Sequence, residues 1–364
     1  MTAPAATPGQ HPIGTALREA AAIVDVRSPG EYAKGHIAGA VSIPLFSNEE
    51  RAEIGTLYKL LGKDTAIHKG LDFLSDKLTG FVQRFEPYRA APLLVYCARG
   101  GMRSAAVVGL LGSLGFAVRQ LPGGYKAYRN HVLSVFDGGL PPRLIVIQGQ
   151  TGVGKTLLLQ RLANALDLEE CAQHRSSVFG GINLQPRSQQ QFDAELLAAL
   201  ERFDPARPVW VEGESRKIGS VTMPDALRQR MQGAPCVLVT APLALRVARI
   251  VAEYGLPDAA TQAQWEVALH SLAMSLGRER VAGMIARVHA GDYAPVVQSL
   301  LLDYYDPRYQ HSMRNYRYAV TVDSADLDTA VAALEAFAAA LRPDETGDAG
   351  KVPRAAGPSR PLAG

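Results

Sequence analysis

Two short stretches of the chain carry reactive chemistry. In Val95-Tyr96-Cys97-Ala98-Arg99-Gly100-Gly101-Met102-Arg103-Ser104, an apolar run ends at a cysteine, and two glycines and two arginines come after it. Glycines let the backbone curl until several N–H groups converge as an anion nest. A helix starting near Ser104 would add its positive N-terminal end. Arg99, Gly100, Gly101 and Arg103 are therefore candidates for an anion-binding loop, with Cys97 as its catalytic thiol. A thiol so placed has a depressed pKa and is largely thiolate. A persulfide or perselenide formed on it would be held in the same way. Cys171 and Cys236 lack such a setting. Cys236 lies in an apolar strand pattern and reads as core.

The second stretch, Gly149-Gln150-Thr151-Gly152-Val153-Gly154-Lys155-Thr156, fits G-x-x-x-x-G-K-[ST] in full. Its backbone N–H groups would cradle phosphate oxygens, Lys155 would reach across them, and Thr156 would face Mg2+ where that ion takes part. A further acid is expected at the end of a neighbouring strand. Val209-Trp210-Val211-Glu212-Gly213-Glu214 offers Glu212 and Glu214 as metal or acid–base groups, where an aspartate is usual. No N-K-x-D guanine signature occurs, so a non-nucleotide diphosphate is as compatible as a nucleotide.

These stretches need α/β scaffolds. Ala21–Val26, Leu93–Tyr96 and Val118–Leu121 read as strands, and Ser104–Leu114 as a helix closed by Gly115. Strands alternating with helices predict a parallel sheet over residues 13–136. Residues 137–143 read as a linker. A second α/β domain over 144–342 would hold strands Leu144–Gln148, Val209–Glu212 and Cys236–Thr240. A helix would cover Leu157–Leu166, with a mostly helical part at about 243–302. Residues 1–12 and 343–364 read as flexible tails. The length of 364 residues fits two domains, and the net charge of +3 permits a nucleic-acid partner without demanding one. Three cysteines without a C-x-x-C pair argue against a disulfide framework or zinc site and fit a reducing cytoplasm. No apolar run approaches the ~20 residues that span a bilayer, so no membrane partner is expected.

The first domain resembles rhodaneses. The resemblance rests on Asp25-Val26-Arg27, Glu31-Tyr32, Gly35-His36-Ile37-Ala38-Gly39-Ala40 and Ile43-Pro44, on the Cys97–Arg103 loop, and on Leu121-Pro122-Gly123-Gly124-Tyr125. It implies a cysteine that carries sulfur or selenium, with Asp25 and Arg27 as a structural pair behind the loop. From about Ile13 to Tyr318 the chain resembles the tRNA 2-selenouridine synthase family. Besides the two loops, this rests on Gln173–Gly180, Gln185-Pro186, Ser188-Gln189 and Phe192, on Trp210–Arg216 with Ile218-Gly219, and on Tyr305-Asp306-Pro307-Arg308-Tyr309. The resemblance implies a two-step reaction on tRNA carrying 2-thiouridine at the wobble position of its anticodon stem-loop. Geranyl diphosphate alkylates the sulfur, and selenium from selenophosphate then replaces the S-geranyl group. Selenophosphate and geranyl diphosphate are thus the expected co-substrates, with Mg2+ a candidate ion and a selenophosphate supplier as partner. The chain departs from the family at Ala98, where a bulkier residue is expected, and at Gly213, where another acid is common. The second departure thins the charge available to a metal.

Arg308, His311, Arg314 and Arg317 interleave with Tyr304, Tyr305, Tyr309, Tyr316 and Tyr318. Arginines take phosphates and aromatics stack unpaired bases, so Arg308, Tyr309 and Arg314 are candidate tRNA contacts, with Arg175, Arg216 and Lys217 beside them. His174 is a candidate acid–base group, and His36 reads as structural. Two other readings stay open at this level: a sulfurtransferase with a regulatory NTPase domain, and an RNA-binding protein with a vestigial rhodanese fold. The sequence specifies no oligomeric state.

Overall fold

The computed structural model describes residues 12–138, 140, 143–254, 258–313 and 316–341. The segments read as tails lie outside these residues, apart from Pro12, where the helix Pro12–Arg18 starts. The chain divides into two compact units. Both are α/β with parallel sheets, as the alternation of elements predicts.

The first unit holds four parallel strands, β1 (Ala22–Asp25), β2 (Val41–Ser42), β3 (Leu93–Tyr96) and β4 (Val118–Gln120), in the order β2-β1-β3-β4. All four residues of β3 are fully buried, which is why this strand reads as an unbroken apolar run. Between β2 and β3 lies a helical stretch that begins at Asn48–Leu61. Ser47 and Glu50 cap that helix reciprocally, Ser47 Oγ accepting from Glu50 N and Glu50 accepting from Ser47 N. The helix Gly124–Gly138 runs into the expected linker. It buries Tyr125, Tyr128, Val132, Val135 and Phe136 at helical spacing, and this apolar stripe carries the helix past Phe136.

One helix of this unit comes from outside the contiguous domain that the sequence suggests. Ser188–Glu201 lies between segments of the second unit in sequence but belongs to the first. Its helix Gln189–Leu200 buries Phe192, Leu196 and Leu197. Arg129 donates to Asp193 at 2.8 Å with both side chains largely buried, and Ser188 Oγ donates to the Lys34 carbonyl. Gln191 accepts from the His36 N–H.

The second unit has the parallel order β11-β10-β5-β7-β6, with β5 (Leu144–Gln148), β6 (Ala165–Leu166), β7 (Val209–Glu212), β10 (Cys236–Thr240) and β11 (Tyr318–Asp323). A separate antiparallel hairpin joins β8 (Lys217–Ile218) to β9 (Val221–Thr222). The expected helix over Leu157–Leu166 is shorter, Lys155–Leu159. Asn164 explains the early stop. It takes a left-handed φ of 54°, and its amide bonds both the N–H and the carbonyl of Asp204, so the chain turns and β6 pairs with the edge of β7. Helices from Leu243–Tyr254 to Asp306–Met313 build a second core around the buried Trp265, flanked by Phe179, Tyr254 and Tyr293.

Removing a buried salt-bridge partner strands the other charge, at a cost of about 3 kcal/mol. Asp193→Ala is therefore expected to destabilise the first unit, although residue 193 is encoded beyond the phosphate loop. Urea unfolding monitored by exposure of the Cys97 thiol measures this, and an unchanged midpoint would contradict it.

Candidate functional site

Cys97 lies at the carboxyl end of β3 and is 3% exposed. Its Sγ accepts hydrogen bonds from the Gly101 N–H at 3.3 Å and from the Ser104 hydroxyl at 3.1 Å. Burial pushes the thiol pKa up. The Ser104 hydroxyl and the N–H groups of Ser104, Arg99 and Gly101 outweigh it and hold the pKa below the ordinary cysteine value. The loop is backed by the glycine pair beyond β4. Tyr125 N donates to the Cys97 carbonyl and Lys126 N to the Ala98 carbonyl, each at 2.9 Å. Gly124 has φ +57°, and a Cβ there would sit 2.3 Å from the Cys97 carbonyl oxygen, so only glycine fits. Behind the loop, Asp25 and Arg27 form the buried pair the resemblance implies, at 2.6 Å, with the guanidinium 3.9 Å from the Tyr125 ring centroid.

The loop arginines divide. Arg99 is exposed beside the thiol, whereas Arg103 is bound to Glu31 at 2.7 Å. Ser104, buried and read from the sequence only as the start of a helix, carries the hydroxyl bond to sulfur and is itself fixed by Gln120 at 2.8 Å. It stands seven residues beyond Cys97, in the first turn of the helix Met102–Ser113 that opens at Gly101, a position a helical projection of the loop would have revealed. His36 stacks on Tyr32 and bonds its carbonyl, a structural role. Cys171 and Cys236 are buried in the second unit, and burial raises the Cys236 thiol to about 11.

The phosphate loop leaves the carboxyl end of β5 at the centre of its sheet, where strand order reverses and ligands of such folds bind. Gly154 caps the helix Lys155–Leu159, and Lys155 Nζ rests on the Gly149 carbonyl at 3.2 Å. Arg246 donates to the Thr151 carbonyl and to Gln150, and is held by Asp306 at 2.6 and 3.0 Å. Arg249 donates to the Val153 carbonyl at 2.7 Å. Above the loop is a cavity of about 520 Å³ reached by Lys155, Thr156, Glu169, Glu212, Glu214 and Tyr309.

Oxygens of Glu169, Glu212 and Glu214 lie within 4.8 Å of one another. Burial first raises all three pKa values, Glu169 to about 7; repulsion from Glu214 adds to it at Glu169 and from Glu169 at Glu212, while at Glu214 burial outweighs the pull of Lys155. Three crowded, partly dehydrated carboxylates beside a phosphate cradle have the donor set that a divalent cation such as Mg2+ requires. Glu169 carries no distinguishing mark in the sequence. It brings a third carboxylate to Glu212 and Glu214, and at Gly213 between them the Gln148 amide occupies the space a Cβ would take. Ahead of Glu169, Asp167 caps the helix Leu168–Ala172, and the Glu169 N–H donates to Glu212.

Of the expected tRNA contacts, Arg175 faces this cavity but is paired with Glu253, and Arg216 is exposed and paired with Asp225. Lys217, Arg308 and Tyr309 line one open groove, and Arg314 lies outside the described residues.

A strand-to-helix cysteine loop on one parallel sheet and a Walker-type phosphate loop on another define a rhodanese-like domain joined to a P-loop domain. The family models agree. The model of the rhodanese-like domain matches residues 14–131, and that of the tRNA 2-selenouridine synthase AAA domain matches residues 142–338. The chain is 31% identical over 320 residues to a tRNA 2-selenouridine synthase of Psychromonas ingrahamii, covering 80% of this chain and 87% of that protein. It belongs to the tRNA 2-selenouridine synthase family. A solved N-terminal domain from Clostridium difficile 630, described as that of an ATP/GTP binding protein, is 52% identical and covers 33% of this chain and 95% of its own, with a TM-score of 0.32.

Two outcomes are expected from the geometry. Ser104→Ala removes a donor to the thiolate, so the pH profile of Cys97 alkylation by iodoacetamide should move to higher pH; an unmoved profile would show that the backbone alone sets the pKa. Protons and a cation compete for Glu169, so Mg2+ affinity measured by calorimetry should weaken as pH falls through about 7 and be lost in Glu169→Gln.

Proposed function

We propose that this chain converts wobble 2-thiouridine in tRNA to 2-selenouridine in two steps. The 2-sulfur attacks C1 of geranyl diphosphate, the C–O bond breaks, and the diphosphate leaves with the electron pair. A selenium nucleophile released from selenophosphate then adds at C2, and geranyl thiol leaves. Alkylation turns a poor leaving group into a good one, which makes the second step feasible. A cytoplasmic protein supplied with selenophosphate by another enzyme fits this chemistry.

The roles come from the two sites. Lys155 and the loop N–H groups neutralise the departing diphosphate. Glu169, Glu212 and Glu214 with Thr156 would hold Mg2+, which supplies further charge to the leaving group. Cys97, its pKa lowered by Ser104 and the loop amides, positions the selenium donor without itself taking up selenium. The observation that carries the choice of diphosphate is a wall of the phosphate cavity. Beside Thr151 and Ser177 it opens into a small apolar slot of about 30 Å³ bounded by Phe179, Ile250, Trp265, Leu300 and Leu301. A slot this small takes only the tip of a prenyl chain. The rest would lie along Leu157, Ile250 and Tyr254 in the larger cavity, a lining that leaves the polar edges of a nucleobase unsatisfied.

The test is mass spectrometry of digested 2-thiouridine tRNA after incubation with geranyl diphosphate, with and without selenophosphate. A geranyl adduct that becomes selenouridine when selenophosphate is added supports the reading. Unchanged tRNA with steady NTP hydrolysis would favour the sulfurtransferase–NTPase alternative. In the same assay Cys97→Ala should lose selenation and keep geranylation, while Lys155→Ala should slow geranylation by about 100-fold. Equal loss of both steps in folded Cys97→Ala would refute the division of labour.

A further inference from the structure

An open groove of about 450 Å³ adjoins the phosphate cavity within the second unit, and Ser176, Ser177 and Tyr309 line both. Three segments form the groove. The loop after the helix Leu168–Ala172 contributes His174, the hairpin contributes Lys217 from β8, and the chain around Asp306 contributes Tyr304 and Arg308. Its aromatic side is shaped by an unusual backbone. The helix Tyr293–Leu300 passes into a π-helical turn, Leu301–Tyr305, before continuing as Asp306–Met313. Such a turn inserts about one residue and rotates the downstream helix face by about 100°, and it recurs at functional sites. Tyr304 and Tyr305 both line the groove from within that turn, with their rings nearly perpendicular at 88°.

The chemistry on this wall is specific. The exposed Arg308 guanidinium lies 3.6 Å from the Tyr304 ring centroid and is pinned by a 2.8 Å bond to the Tyr304 carbonyl. The two planar groups make a cationic platform whose outer face offers π-stacking and charge together. Lys217 is exposed on the hairpin and can meet a backbone phosphate. The groove volume falls in the range of small-ligand sites, which hold one nucleoside with ease. Ser176, Ser177 and Tyr309 stand between this groove and the cavity that Lys155 and Glu214 line. A single-stranded nucleotide is what such a platform recognises, since duplex bases present no free face.

We propose that this groove is the target-nucleotide pocket: one pyrimidine, unstacked from the tRNA anticodon loop, stacks on Tyr304 and Arg308 with its 2-position turned to the phosphate cavity. Lys217 takes a flanking phosphate, and Tyr309 stands where the two cavities meet. This rests on the functional reading above for the identity of the RNA. It adds where the base goes and which side chains hold it.

The test uses the full chain and a synthetic anticodon stem-loop with pyrrolocytosine, a fluorescent pyrimidine that brightens on unstacking, at the wobble position. Wild-type protein should bind it with a rise in fluorescence. Tyr304→Ala and Arg308→Ala should each weaken binding about tenfold and abolish the rise, as loss of base stacking does. Tyr304→Phe should restore both, and geranyl diphosphate affinity should stay at the wild-type value in all three. Unchanged RNA affinity and fluorescence in both alanine variants would overturn the pocket, even if the wild-type protein geranylates tRNA. So would displacement of the RNA by ATP with no fluorescence change. A stem-loop that binds and brightens as described, without any geranylation of 2-thiouridine tRNA, would support the pocket and refute the reaction instead.

Discussion

The buried pair between Arg246 and Asp306 is the contact on which the second unit's chemistry depends. Arg246 is 4% exposed and makes two bonds to one carboxylate, so neither charge can be left alone without a large desolvation penalty. The same guanidinium donates to the Thr151 carbonyl in the middle of the phosphate loop. A loop whose N–H groups must point inward has carbonyls that point outward, and those need partners when buried. Arg246 and Arg249 serve the carbonyls of Thr151 and Val153, which leaves the amide face of the loop to the ligand. Through Asp306, the late Tyr305–Tyr309 block supports a loop encoded far earlier in the chain.

The two sites handle negative charge by opposite means. Around Cys97 the stabilisation is neutral: a hydroxyl and amide dipoles, with Arg103 diverted to Glu31. Dipoles favour an anion without sealing it in an ion pair, so a thiolate formed at Cys97 would stay nucleophilic. Around Lys155 one ammonium faces three crowded carboxyl groups whose pKa values are raised chiefly by burial. That arrangement is frustrated when empty and is relieved by polyvalent ions of either sign. It suits a site that must bind a diphosphate firmly and then release it.

Much of this is legible in the sequence because the loops are local. Cys97–Ser104 and Gly149–Thr156 are contiguous, their strands are unbroken apolar runs, and their geometry is set by glycines. The features that escape a sequence reading are long-range. Glu169 joins Glu212 and Glu214 only because β6 lies beside β7, and nothing in its neighbourhood, Asp167 to Cys171, distinguishes a ligand from a helix cap. Gly213 reads as a lost acid in the sequence, and only the structure shows that the Gln148 amide packs against its Cα and would have to turn aside for a side chain there. The spacing of Leu162 and Leu166 continues the apolar pattern of the helix Lys155–Leu159 and so suggests a longer helix, while the left-handed turn at Asn164 has only a weak sequence signal.

The helix Gln189–Leu200 has a consequence for how this protein could arise or be dismantled. The first unit is not a bead that can be cut from the string near Leu140, because one of its helices is encoded well beyond that point. A gene split at that junction would give an upstream fragment lacking the partner of Arg129 and the acceptor for the His36 amide. The chain enters and leaves the first unit more than once, so the thiolate-bearing and phosphate-binding halves are inherited as one piece. Exchange of one half by simple recombination would need three crossovers, one near Leu140 and one on each side of this helix, rather than a single cut between domains.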